Sequence, residues 1–433
     1  MSVIEKEIAQ DVVPVGYKKT EVGVIPNDWD VFSIGDSLVV IDGDRGVNYP
    51  CKSDFNLHGY CVFLSAENVT KNGFRFSKIE FITEDKDKLL RKGKLKRKDI
   101  VLTTRGSVGH LAMYDYSVGY NHLRINSGMV LIRDELNNYD YRWLYCFLNS
   151  EIARKQIDVM SFGSAQPQLT VAGINKILII APSEKKEQVG IANALSDVDA
   201  LINELEKLIA KKQSIKTATM QQLLTGRTRL PQFAYREDGS KKGYKQSDLG
   251  EIPEDWDIVN LNSVCSSFKT GKLDANAMRS DGEYRFYTCA REYYYIDTYA
   301  FDTEALLISG NGANVGYIHY YKGKFNAYQR TYVLSEFSAS VGYLKIYLER
   351  KLSDRIRVEV NSGNTPYITM DTLTDMLIVT PGKFDEQIAI SSILSDMNTE
   401  IELLDQRLSK TRQIKQGMMQ ELLTGKTRIL NRK

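Results

Sequence analysis

Along residues 184–226 apolar side chains recur at Ile191, Leu195, Val198, Ile202, Leu205 and Ile209, spaced alternately four and three residues apart. The same alternation returns at Ile390, Leu394, Met397, Ile401, Leu404 and Leu408. A repeat of this kind is a heptad seam, by which one helix packs along another. Beyond it the apolar positions are Ile215, Leu223 and Leu224, and in the second copy Ile414, Leu422 and Leu423. These predict a change of register. Each helix closes on Thr-Gly followed by basic residues, and Gly226 and Gly425 suit the left-handed position after a helix C-terminus. A helix of about 40 residues makes a rod of roughly 60 Å. Two such rods in one chain most simply pack together, and the globular segment between them would let them run antiparallel.

The repeat extends to the segments ahead of the helices. GYKKTEVGVIPNDWD begins at Gly16 and GYKQSDLGEIPEDWD at Gly243. In each, Ile-Pro-x-Asp-Trp reads as a turn into a strand, with proline fixing the entry and Trp29 or Trp256 buried. The middles of the two globular parts differ, and the second is shorter. Strand-like runs lie at Tyr60–Leu64, Asp99–Thr103, Gly128–Ile132 and Ile177–Ala181. In the second half they lie at Ala305–Ser309, Thr331–Leu334 and Met376–Thr380. A helix is expected over Tyr141–Ile157, and its counterpart carries Leu344, Leu348 and Leu352. The pattern predicts a mixed α+β chain: two globular domains, two long antiparallel helices packed as a coiled coil, and an internal pseudo-two-fold repeat. The expected boundaries are an N-terminal extension over 1–15, a first domain over 16–183 and a first helix over 184–226. A polar linker over 227–242, a second domain over 243–383, a second helix over 384–426 and a basic tail over 427–433 complete the chain.

Composition narrows the function. The 433 residues carry 57 Lys and Arg against 55 Asp and Glu, a net charge of +2. A nucleic-acid surface must therefore be a local patch. Five cysteines form no C-x-x-C pair and four histidines are scattered, so neither a disulfide framework nor a metal site is expected. This cysteine usage suits the cytoplasm. No run of about 18 apolar residues could span a membrane.

Three basic features are candidate DNA contacts. Lys86–Lys98 holds eight basic residues against one acidic, among them Lys92, Lys94, Lys96 and Arg97. Such a run is a phosphate contact or a solvated loop. Thr104–His110, a turn after a strand, carries Arg105, Ser107 and His110; its counterpart Ser309–Tyr317 carries Asn311 and Asn314. Glycines there let backbone approach a ligand, though a plain hairpin would need them too. The segments Asn121–Arg124 and Asn326–Arg330 contribute His122, Arg124, Gln329 and Arg330. Arg pairs with guanine edges, and Asn or Gln with adenine. Loops later in each domain add Gln166 and Gln168, and Asn364 and Tyr367; these reach bases or cap a loop. Arg291, ahead of three tyrosines, marks either a DNA surface or strand core.

Enzyme signatures are missing. Gly310–Gly316 has the wrong spacing for a dinucleotide fingerprint, and Gly425-Lys426-Thr427 lacks the first glycine of a P-loop and ends a helix instead of starting one. No two prolines are adjacent, so the Asn/Asp-Pro-Pro-aromatic motif of amino-group DNA methyltransferases is absent. No catalytic residue is assigned.

Two unlike globular domains alternating with helices that end MQQLLTGRTRL and MMQELLTGKTRIL strongly resemble the specificity subunit of type I restriction–modification systems. The resemblance runs from Gly16 onward. It implies two target recognition domains, each reading half of a split, asymmetric double-stranded DNA site. The helices would act as spacer and as the dock for two modification (methyltransferase) subunits, which restriction (translocase) subunits join. S-adenosylmethionine, and ATP with magnesium, would then belong to those partners, with no cofactor on this chain. A pseudo-dyad would set the two domains at opposite ends of the rod. The family's usual Gly-Asp-Ile before the turn is Lys98-Asp99-Ile100 here. The competing readings are a duplicated nuclease or methyltransferase, and a coiled-coil scaffold that binds only protein.

Overall fold

The computed structural model describes residues 13–161, 168–359 and 367–429. The chain divides into two compact units, 1–205 with 407–433, and 206–406. Each long helix is therefore shared: Lys185–Leu224 and Phe384–Leu422 both contribute one part to each unit.

In the first unit a four-stranded antiparallel sheet runs Leu111–Met113, Ile100–Thr103, Met129–Arg133, Val39–Asp42. A smaller sheet pairs Cys61–Leu64 in parallel with Leu123–Ile125 and antiparallel with Phe81–Ile82. Trp29–Ser33 pairs with Leu178–Pro182, the strand that feeds the first long helix, in a register that sets Trp29 opposite Pro182. The main core joins this domain to both helices. Trp29, Trp143 and Ile180 pack with Ile191 and Leu195 of the first helix and Leu422 and Leu423 of the second.

The second unit is built on the same plan with a larger sheet of six strands. Its order is Cys265–Thr270, Thr331–Phe337, Phe301–Ser309, Ile318–Ala327, Tyr284–Tyr287, Tyr294–Ile296. Trp256–Asn260 pairs with Leu377–Pro381, again setting tryptophan opposite the proline ahead of the helix. The core joins Trp256 and Leu344 to Ile390 and Leu394 of the second helix and Leu223 and Leu224 of the first.

Every expected strand is present, and Ala305–Ser309 extends back to Phe301. The expected helix Tyr141–Ile157 is instead two helices, Tyr141–Leu148 and Glu151–Ser161. Asn149 ends the first, its side chain donating to the Tyr145 carbonyl at 3.0 Å, and Ser150 opens the second. In the second unit one helix spans Val341–Glu359.

All twelve predicted seam residues of the long helices are buried or half-buried. The predicted register change is overturned, because Ile215 and Ile414 are exposed. The four-three alternation instead continues through Lys212, Lys216 and Leu223, and through Thr411, Lys415 and Leu422. Lysines occupy seam positions because each finds an oxygen on the facing helix. Lys212 meets Glu400 at 2.6 Å, Lys415 meets Asp199 at 2.6 Å, and Lys216 donates to Asn398. Their alkyl stems cover the seam while the ammonium groups are paired. The helices run antiparallel within each unit. In the first, Asp199 faces Lys415 while Glu187 meets Arg428; in the second, Lys212 faces Glu400 while Arg229 meets Glu386.

Gly226 and Gly425 adopt φ of 67° and 72°, as expected after a helix. They are also tightly packed. A Cβ at Gly226 would lie 2.3 Å from Pro253, and one at Gly425 2.5 Å from Pro26. The Ile-Pro-x-Asp-Trp segment of each unit thus seats on a helix end.

Candidate nucleic-acid interface

Each domain carries a glycine turn at the end of a central strand, closed by matching backbone bonds. In the first, Thr104 N–H donates to Gly128 (2.8 Å), Gly109 to Thr103 (3.0 Å) and Leu169 to Thr104 (3.1 Å). In the second, Gly310 donates to Arg330 (2.8 Å), Gly316 to Ser309 (2.8 Å) and Ile368 to Gly310 (2.9 Å). The correspondence places Arg105 with Asn311 and Gln168 with Tyr367, the second turn being one residue longer. Gly106 and Gly109 have φ of 72° and 84°, and Gly312 and Gly316 both 81°, which bulkier residues rarely adopt. The base of each turn sits on a helix: a Cβ at Gly109 would touch Ile157, and one at Gly316 would collide with Ile356. Among the described residues, nothing lies within 4 Å of a Cβ at the tip glycines Gly106 and Gly312.

Predicted site residues gather here. Arg105 and Ser107 are exposed, and His110 is half-buried with Nδ1 3.3 Å from the Val69 carbonyl. The Gln168 carboxamide lies against Arg105; with the amide turned so that its oxygen faces the guanidinium, that oxygen accepts from Nη2 at 3.0 Å and Nε at 3.3 Å. In the second domain Asn311 bridges to exposed Tyr367. The Asn314 amide donates to the Cys289 carbonyl at 3.0 Å, and Arg291 Nε donates to Asn314 Oδ1 at 3.4 Å. The Arg291 guanidinium also stands 5.7 Å from the Tyr317 ring. Gln329 and Arg330 are exposed beside the turn. Gln166 and Asn364 lie outside the described residues. His319, behind the turn, holds its Nε2 2.9 Å from the Ala290 carbonyl, and burial pushes its pKa down, so it is neutral near pH 7.

Six of the eight basic residues in the run Lys86–Lys98 are exposed, while Arg97 and the nearby Arg124 are engaged within the domain. Arg124 is buried, and its guanidinium is consumed inside the domain. It binds the Asp87 carboxylate and donates to the carbonyls of Lys92 (2.6 Å), Asp87 (2.7 Å) and Leu90 (3.0 Å). Burial alone would raise the Asp87 carboxyl, but hydrogen bonds from Lys94 and Arg124 outweigh it and lower the pKa. Arg97 donates to the carbonyls of Asp115, Val118 and Tyr120 and to Asn121, and stacks 4.2 Å over Tyr114. Lys94 is paired with Asp87 and Lys86 with Asp54. Arg97 and the buried Arg124 thus organise the loop from within, whereas Lys94 is paired with Asp87 but stays exposed. Lys92 and Lys96 are exposed, and their ammonium groups have no ion-pair partner among the described residues. His122 is half-buried and stacked on Tyr60 at 4.1 Å, which leaves an edge exposed. Lys98 takes φ of 79°, the conformation that glycine would adopt freely, so the chain keeps the bend without the glycine.

Sequence reasoning missed a duplicated ion-pair cluster at the helix starts. Arg428 clamps Glu187 (2.6 and 2.8 Å) and Asp28 (2.9 and 2.8 Å), while Trp29 Nε1 donates to Glu187 at 3.3 Å. Arg229 clamps Glu386 (2.6 and 2.7 Å) and Asp255 (2.7 and 3.2 Å), while Trp256 Nε1 donates to Glu386 at 3.3 Å. The signal was available: all six charged residues recur in matching places.

Burial pushes the thiols of Cys61 and Cys146 up to about 12 and that of Cys265 to about 11, so these are not nucleophiles near pH 7. Among the described residues no group of His, Cys, Asp and Glu could hold a metal ion. No helix there is long and apolar enough to cross a membrane.

The fold and the paired turns define a protein of two unlike domains on a repeated helical frame. The chain belongs to the type I restriction modification DNA specificity domain family, whose model matches residues 26–217 and 253–412. It is 38% identical over 175 residues to the Escherichia coli type I restriction enzyme EcoDI specificity subunit, covering 40% of this chain and 38% of that protein. It is 28% identical over 254 residues to the putative type I restriction enzyme MjaX specificity subunit of Methanocaldococcus jannaschii, covering 57% and 55%. The matches therefore span well under two thirds of these curated relatives. In fold it is similar to the S subunit of a type I restriction-modification system from M. genitalium, with TM-score 0.58 at 17% identity. That likeness covers 91% of this chain and 96% of the other.

Proposed function

We propose that this chain is the DNA-reading subunit of a type I restriction–modification complex in the cytoplasm, each domain reading one half of an asymmetric, interrupted duplex site. The observation that carries this is the pair of glycine turns, matched in backbone bonding and unlike in side chains. A shared frame with different residues at matched places suits two readers of different sequences. The long helices would dock two modification subunits, which restriction subunits join. Methyl transfer and translocation, with S-adenosylmethionine, ATP and magnesium, would reside on those partners. Family membership supports this division of labour, as does the lack of catalytic motifs in the sequence.

The test is methylome sequencing of cells that express the chain with its modification partner. A split motif should result, and replacing residues 243–383 with the matching domain of another family member should change one half only. Change in both halves would refute the assignment of one domain to each half-site. Methyl transfer to DNA by the purified chain alone would refute the non-catalytic role.

A further inference from the structure

We propose that Arg105 and Arg291 are matched DNA-backbone clamps, each holding a phosphate at the glycine turn of its domain; this rests on the DNA-reading role above. Most arginines that organise this fold are saturated. Arg124, Arg133, Arg142, Arg229 and Arg428 meet carboxylates, and Arg97 is wrapped by carbonyls. Arg105 and Arg291 differ. Each is exposed and leans on a neutral carboxamide, Gln168 for Arg105 and Asn314 for Arg291. A carboxamide orients the guanidinium without cancelling its charge. With its amide oxygen turned to the guanidinium, Gln168 engages Nε and one Nη2 hydrogen of Arg105; Asn314 engages only Nε of Arg291. The remaining N–H donors form the planar fork that suits a phosphate. Each guanidinium stands beside a turn whose tip glycine meets no other atom among the described residues, which leaves room for a DNA strand to come close.

The two domains supply this group by different routes. Arg105 comes from the turn itself. At the matching place the second domain has Asn311, and its arginine arrives from the segment between Tyr284–Tyr287 and Tyr294–Ile296. A group that recurs by different routes points to a ligand feature common to both half-sites. Two unlike half-sites share their phosphates, not their bases. Base reading then falls to the neighbouring side chains that differ, such as Gln168 and Tyr367.

The experiment uses the full complex with its modification subunits and two duplex probes, one carrying the methylated motif and one scrambled. Arg105→Ala and Arg291→Ala should each weaken both probes by the same factor, roughly fivefold to tenfold, and lower the salt slope by about one. Arg→Lys should recover most of the loss, and the methylome motif should stay unchanged. Neutral methylphosphonate linkages placed one at a time in the motif duplex give a readout that does not need a variant to fold. At one linkage per half-site, wild type should lose affinity and the matching alanine variant should lose little more. A changed base in the motif would make the arginine a base reader and overturn the proposal. An unchanged affinity, or a loss with an unchanged salt slope, would overturn it as well. If the wild-type complex shows no sequence preference at all, the DNA-reading assignment has failed, and that outcome is distinct from these.

Discussion

The clusters around Arg428 and Arg229 hold the same residue types in the same geometry, yet they differ in burial. The Arg229 side chain is 5% exposed and its partner Asp255 29%, against 22% for Arg428 and 62% for Asp28. The inner carboxylates, Glu386 and Glu187, are buried in both. Around Arg229 the segment that follows adds to the cluster. After Arg229 the chain turns through Pro231–Phe233 and returns with Lys242, whose ammonium meets Asp255 at 2.8 Å. Among the described residues, which after Arg428 run to Ile429, none lays a second ammonium on Asp28 at a comparable distance. A repeated set of residues can thus hold one geometry while the strength of each pair is set by the segment laid over it.

The largest expected effect comes from breaking each cluster. Removing one partner of a buried ion pair leaves the other charge unpaired, at about 3–5 kcal/mol. Arg229→Met should cost that much, stranding Glu386. Arg428→Met should cost about 1 kcal/mol less, because its surroundings are wetter. Hydrogen exchange around Trp256 in the first variant and Trp29 in the second would measure the two losses separately. Equal losses would break the comparison, placing all the energy in the inner carboxylates.

Acid separates the clusters next. Burial alone would raise the Asp255 carboxyl, but Arg229 and Lys242 outweigh it and hold it at about 2. The folded-state pKa lies below the unfolded one, so the contribution is present above about pH 4 and is lost as pH falls toward 2. Its size is about 2 kcal/mol at most. Asp28 is lowered by its hydrogen bond to Arg428, in a more exposed setting. Asp255→Asn should flatten the acid limb of stability between pH 4 and 2 more than Asp28→Asn does, as read by denaturant titration at stepped pH.

The same contrast between halves holds at the strand that leads to each glycine turn. In the second domain Glu304, which precedes Gly310 by six residues as Lys98 precedes Thr104, lies inside the continuous strand Phe301–Ser309. In the first the chain bends at Lys98, with φ of 79°, and the strand starts only at Ile100. A left-handed lysine costs roughly 1–2 kcal/mol, part of which glycine returns through unfolded-state entropy. Lys98→Gly should therefore stabilise the protein by up to about 1 kcal/mol, seen as a raised melting temperature. Loss of stability would mean that the Lys98 contact to Asn137, at 3.3 Å, outweighs the strain.

These contrasts also mark what the sequence could convey. The heptad seam, both tryptophan strands and Gly226 and Gly425 were legible because period, proline and glycine act locally. The continued register was hidden, because Lys212, Lys216 and Lys415 look like surface residues until Glu400, Asn398 and Asp199 are seen across the helix pair. The turns were legible as turns, and Arg105, Gln168, Asn311 and Tyr367 do converge there. The burial of Arg124 was hidden for the converse reason. Its buried partner, Asp87, was counted in the basic run as a lone acid, and charge count does not reveal which cations it binds. The arginine clusters join residues hundreds of positions apart, so only their joint repetition hinted at them.

Lys242 gives the smallest and most direct test of what separates the two clusters. Its side chain is 12% exposed, and among the described residues its ammonium is the only extra cation on Asp255 that Asp28 has no counterpart for at such distance. Lys242→Met keeps the stem that covers the cluster and removes the charge. Arg229 remains bidentate on Asp255, so the loss should be modest, about 0.5–1 kcal/mol near pH 7. The acid limb should change as well. With one hydrogen bond fewer, Asp255 should protonate at a higher pH, and the acid response around Trp256 should approach that around Trp29. If Lys242→Met leaves the acid limb in place, the burial supplied by the 231–242 segment, and not its charge, sets the two clusters apart.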